Sequence, residues 1–284
     1  MGSEMCIRDR CQIPADEDGQ TFTFGEGGEA QQLAIPYTYW IAKYPVTYAQ
    51  FAAFVEAGAD GYRKDDYWTP DGLEWRGDKR EPERHWNDPQ WHIADHPVVG
   101  VVWYEAYAFS RWLDAQYRAS GLLQAFLAQK GITDPSLYTI RLATEAEWEK
   151  AARYPDGRRY PWGEKYISGY ANADETARYG GDKVGELFLG RTTPVGMYPQ
   201  GANPAHGAHD LSGNVWEWCL TKWAQEIQHP GDNDPAGGDD VARGLRGGSW
   251  NNVPFYARAA NRLRNNPFYW DFNFGFRVVL SSHV

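Results

Sequence analysis

Two histidine pairs are the first residues in this sequence with the spacing to hold a metal. His92 and His96 stand four apart, which would set two imidazoles on one helix face, and His206 and His209 share the segment GANPAHGAHD. Pro97 follows His96 directly and biases it toward extended backbone. Gly and Pro surround the second pair, so both pairs read as loop histidines. Thiol chemistry has three candidates: Cys6 and Cys11 in a polar N-terminal stretch, and Cys219 among large apolar residues in WEWCL. They make no disulfide framework, and Cys219 reads as a small buried hydrophobe. The third resource is aromatic, in NNPFYWDFNFGFR, Asn265 to Arg277. From Trp270 its rings alternate with Asp271, Asn273 and Gly275 at the period of a half-buried strand. The adjacent rings of Phe268 and Tyr269 break that period. Either a strand begins at Trp270, or some of these rings serve to touch another molecule.

The elements that must position these residues are legible in outline. The chain has 284 residues, a formal net charge of −10, 14 Trp, 18 Tyr and 30 Gly, with a mean hydropathy of −0.66 and a pI near 5.2. The acidic balance argues against a phosphate-backbone partner, so no nucleic acid is expected. No apolar run approaches the ~18 residues of a membrane span, and no signal peptide is evident. A cytoplasmic location is the expectation, with a cell surface or a phage particle as other settings. No low-complexity linker or fixed-period repeat divides the chain. One domain over residues 21–284 is expected, with 1–20 a disordered or non-native tail, since MGSEMCIRDR carries no hydrophobic periodicity.

A strand from Tyr37 to Ala42 should lead into a helix capped by Thr47, with Phe51, Phe54 and Val55 inward. A second helix carries Ala106, Phe109, Trp112 and Leu113 at helical spacing and closes near Gly121. Thr144, three residues before Glu147, predicts a capping box for a third helix that buries Trp148 and Ala151. Beyond Tyr154 helical periodicity stops, which leaves loops and short strands around Trp162, Trp216, Trp218, Trp223 and Trp250. The fold class is α+β, loop-rich, with short strands and a few helices.

Read in order, YWIAKYPVTYAQFAAFV, HPVVGVVWYEAYAFSRWL, RLATEAEWEKAAR, YPWG, DLSGNVWEW, RGGSW and GFRVV resemble the formylglycine-generating-enzyme-like family, from about Pro36 to Val279. The resemblance implies a C-type-lectin-like fold, and fold does not carry function. The enzyme that names the family uses two cysteines shortly after the segment matching RGGSW. Here those positions fall at about Asn252 and Ala257, which supply no thiolate for copper binding or redox work. A sulfoxide-synthase branch takes iron ligands from an additional N-terminal helical domain with no counterpart in this sequence. The alternatives to a binding role are thus an oxidoreductase of either type with shifted residues, or an undiversified accessory binding domain. No catalysis and no redox cofactor are expected.

The branch that fits the residues is similar to the variable proteins of diversity-generating retroelements, whose segment between RGGSW and GFR is rewritten at the adenines of Asn codons. Such changes cannot produce Lys, Glu, Gln, Met or Trp, which need a purine third base. Residues 251–274 contain no Lys, Glu, Gln or Met, where composition predicts roughly three. Trp270 is the exception. The resemblance therefore marks Asn251, Asn252, Val253, Phe255, Tyr256, Leu263, Asn265, Asn266, Phe268, Tyr269, Trp270, Asp271, Phe272 and Asn273 as a variable site for a protein or other macromolecular ligand. Aromatics interleaved with Asn suit a paratope, with large contact area at low entropy cost and adaptable hydrogen bonds. Phe255, Tyr256, Phe268 and Tyr269 should be exposed. Phe274 and Phe276 should be core, and Arg258, Arg262 and Arg277 should pair and pack beneath with Trp250 and Asn261.

The resemblance also implies a structural calcium at SGNVWEW, which carries over to Gly213, Asn214, the Val215 backbone and Glu217. A second site would use Asn172 and Ala173, with an acidic partner near Asp182 or Glu186. Such oxygen donors suit calcium. The competing reading is that Asn214 and Glu217 tie down a loop by hydrogen bonds.

Overall fold

The computed structural model describes residues 10–83, 86–178, 183–224 and 241–282. Apolar residues at successive positions, rather than alternate ones, mark strands buried on both faces. The first sheet shows this plainly. It has the order β1-β4-β10-β5, with β1 Arg10–Ile13, β4 Tyr39–Ala42, β5 Thr139–Leu142 and β10 Val278–Ser281, all antiparallel. Trp40, Ile140, Leu142 and Leu280 pack into one core cluster, and Cys11, Ile13, Tyr39, Ile41 and Val279 into another on the opposite face. β2 (Phe22–Phe24) and β3 (Gln31–Leu33) form a separate hairpin.

The first cluster is walled by α1 (Tyr48–Glu56), α3 (Trp103–Ala119) and α4 (Leu122–Gln129), and the second by α5 (Glu145–Arg153). α2 (Pro70–Arg76) lies between α1 and α3 in the chain. Thr47 caps α1 in a reciprocal box with Gln50, and Thr144 caps α5 with Glu147, as the sequence predicts. α3 begins differently. Glu105 at its third position accepts from the Val102 N–H, but Val102 has no side-chain acceptor to return the bond, so the box is half made. No helix among the described residues is long and apolar enough to cross a membrane.

The second sheet has the order β8-β7-β6-β9, with β6 Trp216–Lys222, β7 Arg243–Arg246, β8 Arg262–Asn265 and β9 Phe274–Phe276. β9 pairs parallel to β6, and Phe276 meets Phe109 and Phe51 at ring separations of 5.4 and 6.0 Å. Gly275 between the rings is required by close approach, since a Cβ there would sit 2.7 Å from the Val98 carbonyl oxygen. The chain then leaves this sheet for the first one across a single residue, Arg277.

Two expectations change. The tail does not reach residue 20: Cys11 and Ile13 are buried where β1 pairs with β4. The partner edge that orders them lies nearly thirty residues away, outside any local pattern. Residues 1–9, including Cys6, lie outside the described residues. The alternation from Trp270 is also not one strand. Residues 270–273 are turn and loop, and the strand is the three-residue, wholly buried β9.

Candidate functional site

Underneath the candidate contact residues lies a layer of buried ion pairs. α5 carries Glu145, Glu147 and Glu149, all fully buried, and each meets arginine from another element. Glu145 takes Arg262 of β8 through two bonds of 2.7 and 2.9 Å. Glu147 takes Arg141 of β5 at 2.7 and 2.8 Å. Glu149 takes Arg153 at 2.8 Å and Arg246 of β7. Burial alone would raise the pKa of Glu147, but Arg141 and the surrounding hydrogen bonds hold it below the usual carboxylate range. Arg277 forks onto Glu217 of β6 at 2.6 and 2.7 Å and also donates to the carbonyls of Ala42, His209 and Asp210. This one side chain ties the two sheets together, in the two-pronged geometry that makes arginine–carboxylate pairs directional. Arg258 pairs with Glu26 at 2.6 Å and stacks on the Phe255 ring at 3.7 Å.

The stretch from Asn251 to Asn273 is hung from this layer. Phe255, Phe268 and Tyr269 are exposed, between 38% and 44% of their full accessible area. Asn251 and Asn266 are exposed too, while Asn252, Val253, Asn265 and Asp271 are half-buried. Tyr256, Leu263 and Trp270 are also half-buried, each packed against the first core cluster, so exposure of Tyr256 is only partial. Phe272 joins Trp91 and Trp250, each at 5.7 Å, and Phe188 stacks on Trp250 from outside. Asn273 does not belong to the surface. It is 5% exposed, its amide donates to Ser249 Oγ at 2.9 Å and Asn251 Oδ1 at 2.7 Å, and its carbonyl accepts from the Trp216 N–H. Its place one residue before β9 makes it a tether.

One concavity gathers part of this stretch. Phe268, Tyr269 and Trp270 line a cavity of about 340 Å³ with Trp75 of α2, Glu83 and Glu105 of α3. The Pro267 and Asp271 carbonyls accept from the Trp103 and Gly100 N–H groups, which fixes the aromatic segment against the start of α3. Glu105 is 2% exposed and accepts from Tyr62 Oη at 2.6 Å and the Val102 N–H at 3.0 Å. Neither donor brings positive charge, and burial pushes this carboxyl up to about 7 despite those bonds.

The residues proposed for calcium do not fit a cation as they are placed. Both oxygens of Glu217 receive Arg277, and one also receives Trp148 Nε1 at 2.6 Å. Asn214 Oδ1 accepts from the Thr193 N–H and from Asn172 Nδ2, and the backbone oxygens of Asn172, Gly213 and Asn214 accept from the N–H groups of Asn214, Val215 and Trp250. Glu186 is exposed and pairs with Lys183, Asp182 lies outside the described residues, and Ala173 is buried beside Asn172. The arrangement is a hydrogen-bonded clasp that joins three loops.

The histidines are loop residues, as the flanking prolines and glycines predict. His92 stacks on Tyr48 at 3.9 Å and His96 Nδ1 lies 2.9 Å from Thr192 Oγ1. His206 donates from Nε2 to the Ala151 carbonyl and accepts the Ala208 N–H at Nδ1, a neutral tautomer that burial holds down to a pKa of about 4. Cys219 is fully buried, with its thiol pKa pushed well above the ordinary value by burial, the opposite of a reactive cysteine. Asn252 Oδ1 receives Trp216 Nε1 at 2.7 Å, and Ala257 is buried.

The sulfatase-modifying factor enzyme 1-like domain family matches residues 15–282. The chain belongs to that family. It is 33% identical over 255 residues to the serine/threonine-protein kinase pkn1 of Chlamydia caviae, covering 86% of this chain but 33% of the kinase, so it spans about a third of that relative's length. It is 31% identical over 311 residues to the formylglycine-generating enzyme of Streptomyces coelicolor, covering 96% of this chain and 89% of the enzyme. Among solved structures, Treponema denticola variable protein 1 superposes with a TM-score of 0.59 at 23% identity, covering 95% of this chain and 94% of that one. The α+β, C-type-lectin-like fold expected from the motifs is the fold of this sulfatase-modifying-factor-like chain.

Trp75, Glu83 and Glu105 are absent from the residues the sequence singles out. For Glu105 there was a signal. It precedes Phe109 and Trp112 by four and seven residues, so a carboxylate stands on the apolar stripe of α3. Trp75 meets the aromatic stretch across nearly two hundred residues, and no local pattern announces that contact.

Proposed function

We propose that this chain is a non-catalytic ligand-binding member of its family, with a C-terminal surface diversified by a retroelement to bind varying macromolecular ligands. The observation that carries the reading is the division within residues 251–274. The rings reachable from an Asn codon that stand exposed, Phe255, Phe268 and Tyr269, lie in turns and loops outside the strands, with Phe255 stacked under Arg258. The residues that pair beneath them, Arg262, Arg277 and Asn273, lie in or beside strands. The adjacent exposed rings of Phe268 and Tyr269 at the cavity are apolar surface of a kind that proteins avoid unless it binds something. The thiol positions of the formylglycine-generating chemistry are filled by Asn252 and Ala257, and neither supplies a nucleophile or a soft ligand. The clasp around Asn172 and Asn214 joins loops that reach this stretch, with the Asp174 N–H donating to the Asn252 carbonyl and the Trp250 N–H to that of Asn214.

Sequencing the locus tests the reading. A near-identical repeat of the 3′ end, differing mainly at adenines and lying beside a reverse transcriptase, is the expected result. A locus with neither would end the diversification reading and leave the fold and the surface.

A further inference from the structure

The cavity beneath Tyr269 and Trp270 has a composition that selects a ligand class. We infer that it receives an ammonium group, either a lysine side chain of a protein ligand or a small quaternary amine, held between aromatic faces and the Glu105 carboxylate. This deepens the binding reading above by naming the ligand chemistry of part of the same surface.

Three observations carry it. The walls are rings: Trp75 from the fixed part of the chain, and Phe268, Tyr269 and Trp270 from the C-terminal stretch. Aromatic faces around a cavity attract cations through the ring quadrupole, most strongly where water is excluded. Second, the floor holds a carboxylate that is almost wholly buried and receives only neutral donors, from Tyr62 and Val102, while Glu83 adds a second, exposed carboxylate. Among the described residues, every other buried glutamate except Glu175 has an arginine: Glu145, Glu147, Glu149 and Glu217. Glu175 is instead held by Tyr166, Ser168 and Gly169, and it does not face this cavity. A cationic ligand would give Glu105 the directly bonded countercharge that those four glutamates have. Third, the Trp75 ring already holds one ammonium: Lys79 Nζ lies 4.6 Å from its centroid, anchored to the Trp75 carbonyl at 2.6 Å.

The volume, about 340 Å³, is at the lower end of the roughly 300–1,000 Å³ of small-molecule sites, sized for one side chain or a small amine. The elevated proton affinity of Glu105, set by burial and offset by Lys79, fits a group waiting for a partner charge. Trp270, which adenine changes in an Asn codon cannot generate, then has a constant task as a wall of the cavity.

The test uses the full chain and four probes followed by titration calorimetry and tryptophan fluorescence. Choline and N-acetyl-lysine methylamide carry the ammonium. 3,3-Dimethylbutan-1-ol and N-acetyl-norleucine methylamide are their uncharged shape matches. At least one cation should bind about tenfold more tightly than its match. Binding confined to choline assigns a free quaternary amine, and binding confined to the lysine probe assigns a protein side chain. Glu105→Gln and the surface variant Tyr269→Leu should each weaken the cation several-fold, while Lys79→Met, which removes a competing charge, should strengthen it. Equal affinity for charged and uncharged probes, or insensitivity to Glu105→Gln in a protein of unchanged melting temperature, would overturn the inference. A cavity that ignores all four probes in a chain whose locus carries the template repeat sinks the ammonium alone. Cation binding in a chain whose locus lacks the repeat keeps the cavity and sinks diversification.

Discussion

The buried glutamate–arginine layer and the stretch from Asn251 to Phe272 lie against each other and follow opposite rules. In the layer, Glu145, Glu147, Glu149 and Glu217 each have a fixed arginine partner, so removal of one member strands a charge in the interior. In the stretch, Phe268 and Tyr269 stand out from the surface, so loss of either ring removes area and strands no charge, and loss of Phe255 from beneath Arg258 still leaves that guanidinium paired with Glu26. The difference teaches where a protein can absorb change. Side chains whose partners are solvent or ligand are replaceable, whereas side chains whose partners are buried charges are not.

The sharpest way to break this contrast is at Arg277. Arg277→Leu leaves Glu217 without its fork and cuts the tie between the sheets, and should cost about 3–5 kcal/mol in urea denaturation. A loss below about 1 kcal/mol would mean that the layer is not what holds the surface.

Glu105, the buried carboxylate outside the layer, should show itself through pH. Its folded pKa of about 7 is raised from 4.5, so the folded chain holds a proton that the unfolded chain releases. The stability this contributes is complete below pH 4.5 and lost as pH rises through 7, on the order of 3 kcal/mol. Asp210, raised to about 6, slopes the same way, while His206, lowered to about 4, slopes oppositely below 6.5. The difference between wild type and Glu105→Gln at pH 5 and pH 8 isolates the one group. Equal differences at the two pH values would show that Glu105 is ionised in both states.

At the boundary between the regions, Asn273→Ala removes the bonds to Ser249 and Asn251 and should cost about 1–2 kcal/mol. The smallest effects belong to the surface. Phe255→Ser, Phe268→Ser and Tyr269→Ser should each change stability by less than about 0.5 kcal/mol in thermal melts. A loss of 2 kcal/mol at any of them would place that ring in the core and erase the contrast at that position.

What could be read from the sequence follows the range of the interactions. The Thr47 and Thr144 boxes and the spacing of Phe109 and Trp112 are local, and α1, α3 and α5 form where they predict. β1 was invisible because Arg10–Ile13 is ordered by Tyr39–Ala42, a pairing no short window contains. Glu217 looked like an oxygen ligand in SGNVWEW because its actual partner, Arg277, is sixty residues further on. The alternation from Trp270 to Phe276 suggested a strand, yet the rings at 270 and 272 project from turns to different neighbours, a cavity and a Trp91–Trp250 cluster. Asn273 carries the residue type of the variable set and the burial of the fixed one, which composition cannot separate.

The order of the second sheet has a further consequence. β8 and β9 are its two edges, with β7 and β6 between them, and both edges run parallel to β6: Asn265 stands level with Arg243 and Lys222 while Phe274 stands level with Trp216, so residues 266–273 cross the sheet diagonally, about 14 Å across it and roughly 13–20 Å along it at the usual strand dimensions. Fully extended, that segment would reach roughly 26–29 Å, only a little more than the crossing requires, and the small excess is the turn that shows Phe268 and Tyr269. The segment is a bridge between fixed abutments. Its exposed letters at Asn266, Phe268 and Tyr269 can be exchanged while its span stays set, which suits the proposed system that substitutes bases and preserves length. Deletion of two or three residues would instead leave too little chain for the crossing and pull Asn265 or Phe274 out of the sheet.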